Sequence, residues 1–274
     1  MLKIAVAMSV YANDKPEILV ECIDSIISQT YDDFVVFINV DGSVSNKVYQ
    51  LLENYKSSYP QIFEIDYCKE NKGLAFQLNS IVDKVAASSS NFQFIARMDA
   101  DDINDLNRFS KQVSFFLANP EVAVLGSSVD EFYADGSVFY KSMPQQHDEI
   151  YKNIIKRCPF NHPTVMFNLA TLSFEDLNYP STLMNTQDYY LWVDLAKKGY
   201  RFANIDEPLL KFRVDNNFHK RRGLQKAKND FMSRLYAIRE LDMSTPSNWL
   251  HSFLLFFLRI SPSWIKNLAY EKLR

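Results

Sequence analysis

Three aspartates, Asp99, Asp101 and Asp102, follow directly on an apolar run, Phe94-Ile95-Ala96-Arg97-Met98. Carboxylates so close repel one another unless a cation or a proton intervenes. Hard divalent cations answer that need: Mg²⁺ and Mn²⁺ take one or two carboxylates and fill their remaining positions with water and phosphate oxygens. The competing reading is a solvated acidic loop. An EF-hand is excluded, because Asn104 stands where that loop needs glycine and Ser110 where it needs glutamate. Asp41 follows a second apolar run and precedes Gly42, so it is either a ligand-facing acid or a turn former. Asp188 opens a helical pattern, where the helix dipole favours its ionised form. Position alone makes it an ordinary N-terminal helix acid.

These acids sit in a regular frame. Ile4 to Val10, Phe34 to Val40, Phe63 to Tyr67, Phe92 to Met98 and Val122 to Leu125 are short apolar runs that predict strands. Between them, helical spacing runs from Asp14 and Pro16 to Ile27, through Val48 to Tyr55, from Gly73 to Val85 and from Phe109 to Leu117. Near-continuous apolar strands separated by amphipathic helices predict a parallel sheet covered on both faces. In such sheets ligands gather at the carboxyl ends of the strands, where Asp41 and the Asp99–Asp102 cluster fall.

The second half is less regular. Tyr133 to Ser137 reads as a hairpin turn, His147 to Arg157 as a helix and Cys158 to Pro163 as an extended loop held open by two prolines. Thr186 to Lys198 predicts a helix, capped by Thr186 or Asn185 and stopped at Gly199. Beyond Arg222 the pattern is helical to the end, broken at Pro246 and Pro262.

Lys and Arg number 30 against 33 Asp and Glu, a formal net charge of −3 over 274 residues. No nucleic-acid partner is expected, since such domains are strongly basic. With 47% hydrophobic residues the chain fills a sizeable core. Three widely spaced cysteines suit a reducing compartment and supply no zinc site. The first apolar run is too short for a signal peptide, and no window approaches the ~20 apolar residues of a membrane span. A cytoplasmic protein is expected.

The motifs also carry a resemblance. Lys3–Tyr11, Cys22-Ile23-Asp24-Ser25-Ile26-Ile27-Ser28-Gln29-Thr30-Tyr31, Val40-Asp41-Gly42-Ser43, Asn71-Lys72-Gly73-Leu74-Ala75 and Asp99-Ala100-Asp101-Asp102 with Arg108 occur in one order. His162-Pro163-Thr164-Val165-Met166-Phe167 and Gln187-Asp188-Tyr189-Tyr190-Leu191-Trp192 follow. Together they resemble family 2 glycosyltransferases over residues 3 to 223. Phe202 to Val214 and Lys220-Arg221-Arg222-Gly223 are similar to bacterial capsule, exopolysaccharide and O-antigen transferases, including the amylovoran type.

The resemblance implies an α/β, GT-A fold: a Rossmann-like nucleotide-diphospho-sugar transferase with a mostly parallel sheet flanked by helices and a helical C-terminal tail. It implies a catalytic domain over 1–223, divided into a nucleotide-sugar half (1–105) and an acceptor half (106–223), followed by a tail over 224–274. Ser9, Tyr11, Asp41, Lys72 and Asp99 match nucleotide-sugar positions, with Tyr11 stacking on uracil and Asp41 accepting from its imide N–H. Asp101 and Asp99 match the acids that hold Mn²⁺ or Mg²⁺, and Asp102 is either a further acid or a cap. Asp188 matches the catalytic base of inverting members. His162, Trp192, His219, Arg221 and Arg222 are candidates for the acceptor pocket or a lid, with core packing the competing reading of Trp192. The donor implied is a UDP-sugar, and the acceptor an undecaprenyl-diphosphate-linked glycan. The Gln-x-x-Arg-Trp signature of processive relatives is absent, so one sugar per binding event is expected.

Two other functions compete. A nucleotidyltransferase would want a Gly-rich basic loop after the first strand, and Ser9-Val10-Tyr11-Ala12-Asn13 has neither glycine nor lysine. A non-catalytic assembly protein of the same fold would have no use for Asp101 and Asp188 together. In the tail, Leu250, Phe253, Leu254 and Phe257 recur at helical spacing, with Trp264 and basic residues beyond. Such a helix either lies on the inner face of the membrane or packs against protein.

Overall fold

The computed structural model describes residues 2–183, 185–214 and 224–261. The first half alternates as expected: β1 (Lys3–Tyr11), α1 (Pro16–Ile27), β2 (Phe34–Asp41), α2 (Asn46–Ser58), β3 (Phe63–Cys68), α3 (Leu74–Ala87) and β4 (Phe92–Asp99). A two-residue β5 (Ile103–Asn104), α4 (Arg108–Ala118), β6 (Val122–Tyr133), β7 (Val138–Lys141), α5 (His147–Asn153) and β8 (Met166–Asn168) follow. The described chain ends with α6 (Gln187–Lys197), β9 (Arg201–Val214), α7 (Leu224–Glu240) and α8 (Pro246–Ile260).

One sheet runs in the order β3-β2-β1-β4-β8-β6-β9-β5, with β7 added to β6. Strands β3, β2, β1 and β4 are mutually parallel. Beyond β4 the sheet is mixed: β8 runs antiparallel to both β4 and β6, whereas β9 is parallel to β6. The sheet is thus mostly parallel, as expected, with β5, β7 and β8 as its antiparallel members. Strand side chains alternate between two layers. Ile4, Val6, Met8 and Val10 of β1 pack with Leu19, Cys22, Ile23 and Ile26 of α1. Ala5 and Ala7 pack on the other face with Leu78, Ile81 and Val85 of α3.

Two elements outran the sequence pattern. β6 continues past Leu125 because Ser127 and Ser128, fully buried, have partners: the Ser127 N–H donates to Thr164 Oγ1 at 3.0 Å, and Ser128 Oγ accepts from the Met143 N–H at 3.2 Å. β9 tolerates Pro208 because its register to β6 shifts there, at a bulge where a missing N–H does no harm.

α7 is not a free tail. Its Ala237 and Ile238 belong to the same buried cluster as α6 residues Leu191 and Leu195, so the core crosses the expected boundary at residue 223. α8 packs the opposite way round from an ordinary surface helix. Asn248 and Ser252 are buried, while Leu250, Phe253, Leu254 and Phe257 are 44 to 60% exposed. Its Arg259 pairs with Asp230 of α7 at 2.5 Å. Among the described residues no helix is long and apolar enough to cross a membrane.

Candidate active site

The parallel strands end level. Ser9 stands opposite Asn39 of β2 and Asp99 of β4, and Tyr11 stands opposite Asp41. β1 and β4 are the adjacent strands between which the chain reverses its winding, so the crevice beyond Ser9 and Asp99 is the switch point at which open α/β sheets bind ligands. Ser9, Tyr11, Asp41 and Asp99 are thereby brought to one edge.

The acids at this edge have different surroundings. Asp99 forms an ion pair with Arg97, whose side chain is buried in the sheet. Asp102 is only 1% exposed; its Oδ1 accepts from the Arg213 N–H at 2.9 Å, and its Oδ2 is buried without a partner. Asp102 thus braces β9, and burial drives its pKa well up. Burial, then the charge of Asp99, pushes Asp101 up to about 6. Asp14 accepts from the Tyr11 N–H at 2.8 Å, and burial, with Asp101 and Asp99 nearby, pushes it up to about 7. Behind the cluster, fully buried Arg108 donates to the carbonyl of Arg97 at 2.8 Å and to Asn104 Oδ1 at 2.7 Å.

Among the described residues no three His, Cys, Asp or Glu side chains converge to enclose a metal by themselves. The residues nevertheless fit a hard divalent ion held by one or two carboxylates and completed by phosphate oxygens. Burial is the main cause of the raised pKa of Asp101 and Asp14, and the charge of Asp99 adds to both, so a cation held there would ease the ionisation of these acids.

Asp41 is 3% exposed and committed to protein donors. Its carboxylate accepts from the N–H groups of Lys72 at 2.7 Å and Gly73 at 2.9 Å, and from Gln77 Nε2 at 2.6 Å. It caps α3 from a distant strand, anchoring the loop that flanks the crevice. Gly42 makes this approach possible: its φ is +82°, and a Cβ there would lie 3.0 Å from the Asn71 nitrogen. The Tyr11 ring, by contrast, is 37% exposed and open to stacking. The Lys72 ammonium rests 4.7 Å from the centre of the Phe76 ring.

Asp188 lies in the first turn of α6 and lines a cavity of about 220 Å³ with His162, Tyr179, Asn185 and Lys226. Burial raises its pKa, outweighing the Tyr189 N–H and the Lys226 charge; the charge of Asp99 raises it further. The helix-start advantage expected from position is overridden by burial. His162 Nε2 lies 3.1 Å from the Tyr179 hydroxyl, and burial, then the Arg97 charge, holds the imidazole neutral. Asn185 and Thr186 precede Asp188 with φ values of +66° and +67°. Thr186 occupies the cap position without making a side-chain cap bond, contrary to the expected cap.

Trp192 is corrected from acceptor candidate to core: it is 0% exposed, wedged against Phe160 at 4.9 Å and Phe167 at 5.9 Å between ring centres. His219, Arg221 and Arg222 lie outside the described residues. Sequence reasoning missed Arg97, Asp14, Tyr179 and Lys226. Arg97 alone carried a signal, as an arginine inside an apolar strand almost always has a buried partner.

Comparison with known proteins accords with this geometry. The model of the family described as Glycosyl transferase family 2 matches residues 5–178. Over 98% of both chains the sequence is 30% identical to an uncharacterized glycosyltransferase of Haemophilus influenzae. It is 28% identical, over 98% of both chains, to the amylovoran biosynthesis glycosyltransferase AmsE of Erwinia amylovora. It is 27% identical, over 98% of this chain and 96% of the other, to the Escherichia coli UDP-Gal:alpha-D-GlcNAc-diphosphoundecaprenol beta-1,3-galactosyltransferase. Among solved structures, S. aureus TarS 1-349 in complex with UDP-GlcNAc superposes with a TM-score of 0.59 at 14% identity, covering 97% of this chain and 84% of that one. The mannosyltransferase PcManGT of Pyrobaculum calidifontis, with GDP-Man and Mn²⁺, gives 0.56 at 14% identity, covering 99% and 79%. The fold is GT-A. With a match over more than half its length and a full-length relative at 30% identity, this chain belongs to glycosyl transferase family 2.

Proposed function

We propose that the protein transfers one sugar at a time from a UDP-sugar to a hydroxyl of an undecaprenyl-diphosphate-linked glycan, with inversion, in bacterial surface polysaccharide synthesis. The observation that carries this reading is geometric: Ser9, Tyr11 and Asp99 end level at the switch point of the sheet, and Asp188 lines a cavity with His162 and Tyr179. Uridine and an undecaprenol carrier are supported by the E. coli relative's name and by the UDP-GlcNAc complex of TarS. A divalent cation is supported by the Mn²⁺ of the mannosyltransferase complex and by the crowded acids described above.

In this mechanism the uracil ring stacks on Tyr11, and the diphosphate lies at the ends of β1 and β4, near Ser9 and Asp99. Asp101 and Asp99 would hold Mn²⁺ or Mg²⁺, which offsets negative charge on the departing diphosphate. Asp188 takes the proton of the acceptor hydroxyl as its oxygen bonds to the anomeric carbon. The bond from that carbon to the UDP oxygen breaks on the opposite face, and UDP leaves with the electron pair. Desolvation strengthens Asp188 as a base by raising its pKa. His162, neutral beside Tyr179, is placed to position a sugar hydroxyl.

The outward apolar face of α8, flanked by Trp249, supports docking on the cytoplasmic face of the inner membrane, where a lipid-linked acceptor would wait. Thermal stabilisation across a panel of UDP-sugars with Mn²⁺, followed by UDP release from the best donor, tests the reading. Equal release with and without EDTA would remove the metal. No stabilisation by UDP or any UDP-sugar would remove the donor class.

A further inference from the structure

A second cavity, about 580 Å³, has none of the candidate catalytic residues among its described lining. It opens between α3 and the segment from Phe174 to Ser181, beside the cavity that holds Asp188. The two share a wall. Ala75 and Leu78 of α3 line the Asp188 side, while Phe76 and Asn79 line the larger space. Across from them Tyr179 lines the first, and its neighbours Leu177 and Asn178 line the second.

The lining has a definite chemistry. Phe76, Ser80 and Asp83 fall on one stripe of α3, and Phe174, Glu175 and Asn178 approach from the other side. Phe76 is 38% exposed at the rim, with the Lys72 ammonium over one face of its ring. Asp83, Glu175 and Asn178 are exposed polar side chains. No lysine or arginine is among the described residues of this lining, Lys72 reaching only the Phe76 ring at its rim, and two carboxylates repel phosphate. The site therefore suits no nucleotide and no lipid headgroup phosphate. It suits a neutral polyol: carboxylates and amides accept and donate to hydroxyls, and the electron-rich ring faces meet the C–H face of a pyranose. The volume falls within the range of small-molecule sites.

We propose that this cleft is a glycan subsite, which holds the sugars of the acceptor beyond the residue whose hydroxyl reacts at Asp188. The inference rests on the transferase reading and adds to it an acceptor recognised through at least two sugar rings. A monosaccharide reaches Asp188 alone; a longer acceptor also lies against Phe76 and Phe174.

The test uses the full chain saturated with UDP and Mn²⁺. Lactose, N-acetyllactosamine, cellobiose and N,N′-diacetylchitobiose are titrated by saturation-transfer difference NMR, beside their component monosaccharides. At least one disaccharide is expected to bind saturably, and more tightly than its monosaccharides. Phe76→Ala with Phe174→Ala should weaken that disaccharide by about tenfold, the loss of a good aromatic contact. Asp83→Asn, a surface change that leaves folding untouched, should weaken it several-fold. Stabilisation by UDP and Mn²⁺, read by melting on the same samples, should persist in every variant. Absence of binding by all four disaccharides, or unchanged affinity in the variants, overturns the subsite while UDP stabilisation keeps the transferase reading alive. Loss of UDP stabilisation in the wild-type protein strikes the transferase reading instead.

Discussion

Asn79 grips Tyr179 by both of its backbone polar groups: Nδ2 donates to the Tyr179 carbonyl at 2.8 Å, and Oδ1 accepts from the Tyr179 N–H at 2.8 Å. Helix α3 thus fixes a loop a hundred residues later, and that loop carries the hydroxyl meeting His162. Asn79→Ala should cost about 1–3 kcal/mol by leaving these groups unpaired. It should also lower kcat, because the loop leads into Asp188. Tyr179→Phe should fold normally and lose about tenfold in kcat, one hydrogen bond's worth. Melting curves and steady-state rates read both; a full-speed Asn79→Ala enzyme would disconnect the loop from catalysis.

Asp188→Asn should reduce transfer by about 10²–10⁴-fold while UDP still stabilises the fold. The wild-type rate should rise with pH through a pKa above the ordinary carboxylate range, since the base works only when ionised and burial raises its pKa. Stability runs the other way. A carboxyl whose folded pKa lies above its unfolded one contributes stability that is complete below about pH 3.9 and is lost as pH climbs past the folded value. The substituted amide cannot ionise, so the variant should melt higher than wild type at pH 8, with the gap closing as pH falls toward 4. A pH–rate profile and paired melting scans decide.

The legible part of the molecule was the part with uniform periodicity. β1, β2 and β4 read correctly because each is buried on nearly its whole length and flanked by helices whose stripes match it, while the edge strand β3 shows the alternation of a one-sided strand. The acids at their ends followed from topology alone. What failed to read depended on long-range partners. Ser127 and Ser128 look like a loop until Thr164 and Met143 supply their hydrogen bonds. Asp102 looks like another ligand until the Arg213 N–H claims it from over a hundred residues away. Tyr179 and Lys226 join Asp188 only through tertiary folding, so no local spacing marks them.

Asp101→Asn should leave the free protein as stable as wild type or more so, because it removes a crowded charge. It should erase most of the extra thermal shift that Mn²⁺ adds to UDP. Asp102→Ala should do the reverse, costing about 1–2 kcal/mol through the unpaired Arg213 N–H. Calorimetric melts with UDP, with and without Mn²⁺, separate the two roles. Identical behaviour of the two variants would show that they do one job.

Leu254→Asp and Phe257→Asp alter side chains that are each 59% exposed, so folding should be unaffected. Flotation with anionic vesicles should leave this double variant at the bottom of the gradient and carry wild type to the top. Deleting residues 246–274 should have the same effect. Equal flotation of wild type and double variant would show that α8 turns its apolar face to another protein.

The paired left-handed residues Asn185 and Thr186 bear on how this enzyme would respond to laboratory evolution. Glycine at either position relaxes a backbone that costs roughly 1–2 kcal/mol per residue to hold. The same glycine loosens the backbone that leads into the first turn of α6, where Asp188 lies. Selection for heat resistance and selection for turnover therefore pull this short stretch in opposite directions, and heat-hardened descendants that acquire glycine there will be slow ones.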